Sequence, residues 1–109
     1  MGATERRRGN KAEQDVAAFL RANGIQAQTS RSAQGFQGGS DIITSLPLAI
    51  EVKDHARLDL SGWWTQASLN AQPDELPVLW HKRRGYASPS AWWTTFDGET
   101  LVRLLKMLG

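Results

Sequence analysis

The clearest alternation in the chain runs from Leu48 to Lys53. Leu48, Ile50 and Val52 fall on one face, and Ala49, Glu51 and Lys53 on the other, which is the period of a β-strand. The β-branched run Ile42-Ile43-Thr44 precedes it, and the break Ser45-Leu46-Pro47 predicts that the two runs pair as a hairpin. Upstream, Ala12, Val16, Phe19 and Leu20 recur at helical spacing. Asn10 is a good N-cap with Glu13 three residues on, and Asn23-Gly24 is a stop, so a helix is predicted from Asn10. Glu13 shares the face of Val16, Ala17 and Leu20 and therefore points into the domain, either as a capping residue or as a carboxylate delivered to a site. Ile25 to Arg31 alternates as a strand, and Ser32 to Ser40 is a Gly-, Ser- and Gln-rich loop that Phe36 alone could anchor.

The second half continues the pattern. Ser61 can cap a helix reaching about Gln72, where Pro73 stops it, and Trp63, Gln66, Ala67 and Asn70 share one of its faces. Pro77 to Lys82 is a short strand with Val78 and Trp80 on one side and Leu79 and His81 on the other, a sign of burial on both faces. A basic loop from Arg83 to Ser90 leads to a strand over Ala91 to Phe96. Asp97-Gly98 then turns the chain into a helix, Glu99 to Leu108, whose apolar face is Leu101, Leu104, Leu105 and Leu108. A core role for that face is preferred to a dimer contact. The expected order is α-β-β-β-α-β-β-α, an α/β domain spanning residues 1–109, with residues 1–9 as a mobile basic arm.

Composition narrows the function classes. At 109 residues the length suits one domain, and no apolar run approaches the roughly 20 residues of a membrane span. No signal peptide is expected ahead of Met1-Gly2-Ala3-Thr4. Without cysteine there is no disulfide framework and no thiolate metal site, which fits a reducing cytoplasm. His55 and His81 alone argue against zinc. The net charge is only +2, but its basic residues cluster at Arg6-Arg7-Arg8 with Lys11 and at Lys82-Arg83-Arg84. Such clusters suit a phosphate backbone, the plain alternative being a solvated face and a floppy terminus.

The hairpin would set Asp41 on the strand beside Glu51, one pleat from Lys53. Two carboxylates about 4 Å apart repel by roughly 4 kcal/mol at an effective dielectric near 20, and one of them would take up a proton. A hard divalent cation removes the conflict, so Mg²⁺ is the expected cofactor, with Mn²⁺ able to substitute. The lysine adds a fixed positive charge where an anionic transition state would form. That combination suits phosphodiester hydrolysis.

These residues resemble the PD-(D/E)XK nuclease superfamily: Glu13 on the first helix, Gly39-Ser40-Asp41 opening a strand, and Glu51-Val52-Lys53 on its partner. The resemblance implies a restriction-endonuclease-like fold, an αβββαβ core with a central mixed sheet flanked by helices. Within the superfamily the chain is most similar to archaeal-type Holliday junction resolvases, through Arg6 to Glu13, Arg31-Ser32-Ala33 and Ile50 to Lys53. The first half carries the likeness, and the Trp-rich second half carries little. Ser40 stands in place of the proline of the motif's name.

By that resemblance Asp41, Glu51, the Val52 carbonyl and Glu13 would hold the metal. Lys53 would orient or deprotonate the attacking water. Ser32, with Arg31, would act on the phosphate from a mobile loop, and Gln66 would assist from the following helix. Cleavage would leave a 5′ phosphate. Arg6, Arg7, Arg8, Lys11, Arg31, Lys82, Arg83 and Arg84 are the expected DNA contacts. Symmetric resolution of a four-way junction needs two active sites, hence a homodimer, with Trp92, Trp93 and the Leu101–Leu108 helix as candidate contacts. At least three of the five tryptophans are nevertheless expected in the core. Neither a membrane nor a small-molecule cofactor is expected, and the expected location is the cytoplasm; phage, archaeal and bacterial origins are all open, the small size and Trp-rich tail leaning toward a phage and so a host cytoplasm. The rival readings are a nuclease acting on flaps, forks or duplex DNA, a DNA-binding module whose acidic cluster is merely structural, and a phosphate-binding protein.

Overall fold

The sheet is organised around strand β3 (Leu48–Lys53), which is covered on both faces: Ala49, Ile50, Glu51 and Val52 are all buried. The computed structural model describes residues 2–33, 35 and 38–109, so Phe36 lies outside the described residues. Strands β1 (Ala27–Thr29), β2 (Ile42–Thr44), β3, β4 (Leu76–His81) and β5 (Trp93–Thr95) stand side by side in sequence order. Neighbours are antiparallel except β3 and β4, which run parallel from Leu48 opposite Leu76 to Lys53 opposite His81. A parallel pair needs a crossover, and helix α2 (Leu60–Asn70) provides it. Helix α1 (Ala3–Ala22) precedes the sheet and α3 (Gly98–Leu108) follows it, so the expected α-β-β-β-α-β-β-α order and mixed five-stranded α/β sheet are present. No helix among the described residues is long and apolar enough to cross a membrane.

The two sheet faces are packed differently. On one, Ala12, Val16, Ala17 and Leu20 of α1 meet Ala27, Ile42, Ile50, Val52 and Trp92, with Trp80 at the edge of this core. Phe19 meets Trp80 edge to face at 5.9 Å between ring centroids. On the other, Trp63 and Ala67 of α2 cover Leu79, with Trp64 beside them. The alternation of β4 thus feeds both cores, as its sequence implied. Trp63 and Trp92 are buried, Trp64 and Trp80 partly so, and Trp93 is exposed.

Several boundaries differ from expectation. Residues 1–9 are not a free arm where described, because α1 begins at Ala3 and carries Arg6, Arg7 and Arg8 as a helical turn. The Glu5 carboxylate accepts from the Gly2 N–H at 2.7 Å and places a negative charge at the positive end of the helix dipole, which offsets the arginines there. Asn10 and Glu13 are therefore mid-helix, and neither caps it. Gly9 is tolerated inside the helix at about 1 kcal/mol relative to alanine. The first strand is shorter than predicted: the chain leaves it after Thr29 for a single 3₁₀ turn, Ser30–Ser32, which takes Arg31 off the sheet. Asp59, not Ser61, caps α2 by accepting from the Gly62 N–H at 3.0 Å. The face of α3 is not core: Leu101, Leu105 and Leu108 are exposed, and Thr100 is the buried residue of that helix.

Candidate metal and nuclease site

The β2–β3 pairing sets Ile42 opposite Ile50, which puts Asp41 level with Glu51. The Asp41 N–H donates to the Ile50 carbonyl at 3.0 Å, and its Oδ2 accepts from the Val52 N–H at 2.8 Å. Asp41 is thereby fastened across the hairpin by main chain and side chain alike. Its charge lies close enough to the Glu51 carboxyl to hinder ionisation there. The Val52 N–H faces the Asp41 side, and in a strand the carbonyl of the same residue points the same way, toward the pair of acids.

Glu51 is 2% exposed. Burial first, and the neighbouring Asp41 charge second, push its pKa up to about 7. Asn70, from the end of α2, donates to Glu51 Oε1 at 3.0 Å and partly opposes that rise. Spacing puts Asn70 on the inward face of its helix, but nothing in the sequence alone marks it as a site residue. The close approach of Gly39 explains its position: a Cβ there would come within 3.0 Å of the Asn70 side chain. Lys53, next on the Glu51 face, donates to Gln66 Oε1 at 2.7 Å, so strand and crossover helix are joined at the rim of the cleft.

Glu13 reaches the same cleft from α1. It is 5% exposed, and burial raises its pKa against the opposing hydrogen bond from Arg31. Arg31 Nε lies 3.0 Å from Glu13 Oε1. Leaving the sheet at the 3₁₀ turn is what lets Arg31 make this ion pair, so it acts first as the partner of Glu13. Ser32 is not brought to the acids: its hydroxyl donates to the Thr29 carbonyl at 2.8 Å and closes the turn. Glu13, Arg31, Asp41, Glu51, Lys53 and Gln66 all line one cleft of about 260 Å³, together with Arg6.

Among the described residues no three carboxylate or imidazole groups are gathered into a ready-made metal cluster. The donors are instead a carboxylate pair, a nearby main-chain carbonyl, and a third carboxylate held by an arginine. They suit a hard dication, because a buried acid that resists ionisation beside a second, half-buried carboxylate is what such an ion would stabilise.

The basic residues divide into groups. Arg8, Lys11, Lys82 and Arg84 line a neighbouring cleft of about 310 Å³ with His55 and Asp54. Lys11 also pairs with Asp15 at 3.1 Å, and Lys82 stands 4.0 Å from Asp54, the strand-end acid. Arg83 packs its guanidinium on Tyr86 and Trp93. Arg7 is exposed on α1. Trp92, expected as a candidate dimer contact, is buried under α1 and donates from Nε1 to the Tyr86 carbonyl at 2.8 Å.

Comparison of the chain with protein-family models, with curated proteins and with solved structures found no match.

Proposed function

We propose that the protein is a Mg²⁺-dependent endodeoxyribonuclease of the PD-(D/E)XK type that cuts branched DNA as a homodimer, with the four-way junction as its substrate. The observation that carries the reading is the Asp41–Glu51 pair: two acids on adjacent strands, one pleat from a lysine, in a cleft walled by basic side chains. A purely structural role would leave Glu51 buried against a like charge, and a buried unpaired charge is strongly destabilising.

A bound Mg²⁺ would supply a Lewis acid for the phosphate oxygens and lower the pKa of a coordinated water. Asp41 and Glu51, with the Val52 carbonyl, would hold it. Gln66 fixes the Lys53 ammonium at the rim, where it orients the attacking water and stabilises charge developing on phosphorus. Arg31 opposes the rise that burial causes in the Glu13 pKa and holds its carboxyl at the cleft. Arg6, Arg8, Lys11, Lys82 and Arg84 hold the phosphates on either side by charge rather than by base identity.

The second copy would pack on α3, whose Leu101, Val102, Leu105 and Leu108 leave an apolar face in solvent. The test is a panel of four-way junction, flap, nicked and linear duplex DNA incubated with Mg²⁺, wild type beside Asp41→Ala. Cuts in the junction with 5′ phosphates, lost in the variant while junction binding persists, support the reading. Preferential cutting of a flap moves the substrate to the flap-nuclease class, and no cleavage of any substrate refutes nuclease function.

A further inference from the structure

Beside the carboxylate cleft lies a larger one, of about 520 Å³, and Lys53 and His55 line both. Its floor is aromatic. The Trp63 ring stands 5.6 Å from that of His55 and 5.7 Å from that of His81. Burial holds the His81 pKa below its usual range, and its Nε2 lies 2.8 Å from Thr95 Oγ1, so this ring is fixed in the floor without a charge near pH 7. At the mouth is Trp93, in register opposite His81 on the neighbouring strand and 54% exposed. Its ring is braced by the Arg83 guanidinium 4.7 Å from the centroid, and the same guanidinium lies 3.9 Å from the Tyr86 ring. Lys82 and Arg84 also line this cleft.

An apolar ligand would suit the rings but not Lys53, Lys82, Arg83 and Arg84, the four cations that line the cleft. Phosphates alone would suit the cations and leave an exposed indole without purpose. A nucleotide satisfies both, because a base stacks on a ring while its flanking phosphates meet lysine and arginine. Bases inside a duplex cannot enter such a cleft, so the base must be unpaired.

We infer that this cleft binds one unpaired base of the DNA strand, stacked on Trp93, with the adjoining phosphates on Lys82 and Arg84. The inference assigns Trp93 to the substrate and not to the dimer contact. It rests on the nuclease reading only for placing that base next to the scissile phosphate. The shared Lys53 and His55 would then make local unpairing, at a branch point or a flap, the feature that admits a strand to the site.

The test is metal-free, so it stands apart from catalysis. Fluorescence anisotropy in EDTA would follow binding of a short labelled oligothymidylate and of its abasic counterpart to the wild type, Trp93→Ala and Trp93→Phe. Stacking predicts about tenfold weaker oligothymidylate binding by Trp93→Ala, at low and high salt alike, with Trp93→Phe close to wild type. The wild type should bind the abasic strand about as weakly as Trp93→Ala binds the intact one. Unchanged affinity in Trp93→Ala, no discrimination against the abasic strand, or a dimer in the wild type that becomes monomeric in Trp93→Ala would each overturn the assignment. If the stacking signature holds but no DNA is cut, the nuclease reading falls and the base site remains. The reverse pattern keeps the nuclease and removes the base site.

Discussion

Glu51→Gln exchanges one carboxylate oxygen for an amide nitrogen at the most deeply buried acid of the cleft. In the native protein the Glu51 pKa is pushed from 4.5 up to about 7, while an unfolded chain ionises it near the lower value. Between those two values the native state keeps a proton that the unfolded state has released. Stability from this group therefore falls as pH rises through the window and changes no further above it. At 1.36 kcal/mol per unit, the ionised side chain destabilises the metal-free protein by about 3 kcal/mol at pH ~8.5. The glutamine variant avoids that loss, since its amide oxygen can still accept from Asn70 and its amide nitrogen can donate to Asp41. For a domain of this size the gain corresponds to a Tm rise on the order of 10 °C. The assay is thermal and urea denaturation of both proteins in EDTA across the pH range. The curves should converge near pH ~4.5 and separate toward pH ~8.5. His81, held neutral by burial, contributes in the opposite sense below its usual pKa, but it is common to both proteins and cancels in the difference. A variant no more stable than wild type at high pH, or a difference that ignores pH, would refute the buried, repelled carboxylate.

Gly39→Ala places a methyl within 3.0 Å of Asn70 and should displace it from Glu51. A loss of about 1 kcal/mol is expected by urea denaturation, with no further loss when Asn70→Ala is added, because both changes remove one interaction; simple additivity would contradict that coupling. Leu105→Glu, on the exposed face of α3, should leave the circular dichroism spectrum unchanged and convert a sedimenting dimer to monomer. Identical sedimentation of the two proteins would move the dimer contact elsewhere.

The hairpin that carries the acids was legible because its signals are local: strict alternation from Leu48, β-branched residues before it, and Ser45-Leu46-Pro47 between. Register then followed, since slipping the pairing by one residue would turn Ile42 or Ile50 out of the core. The inward face of Glu13 and the two-sided burial of β4 were readable for the same reason. Most of what escaped depends on contacts between distant segments, the start of α1 being the exception. Polar residues 3–9 carry no apolar stripe, so their helix was invisible to periodicity and depends on Glu5 and on continuation from the buried turns beyond. Arg31 continued the alternation of its strand, but its ion pair with Glu13 is a tertiary contact that no spacing encodes. Asn70 showed its face but not its partner. The leucines of α3 have a helical core pattern and are nevertheless exposed, since periodicity says that a face is apolar and not what covers it.

Calorimetric titration of Mn²⁺ into the wild type and Glu51→Gln is the most direct test of the carboxylate pair. The expected result is one ion bound per wild-type chain, with a proton released below pH ~7 because Glu51 must ionise to bind, and no uptake at that site in the variant. Wild-type protein that takes up no ion, or a variant that binds Mn²⁺ as tightly and with the same proton release, would contradict it.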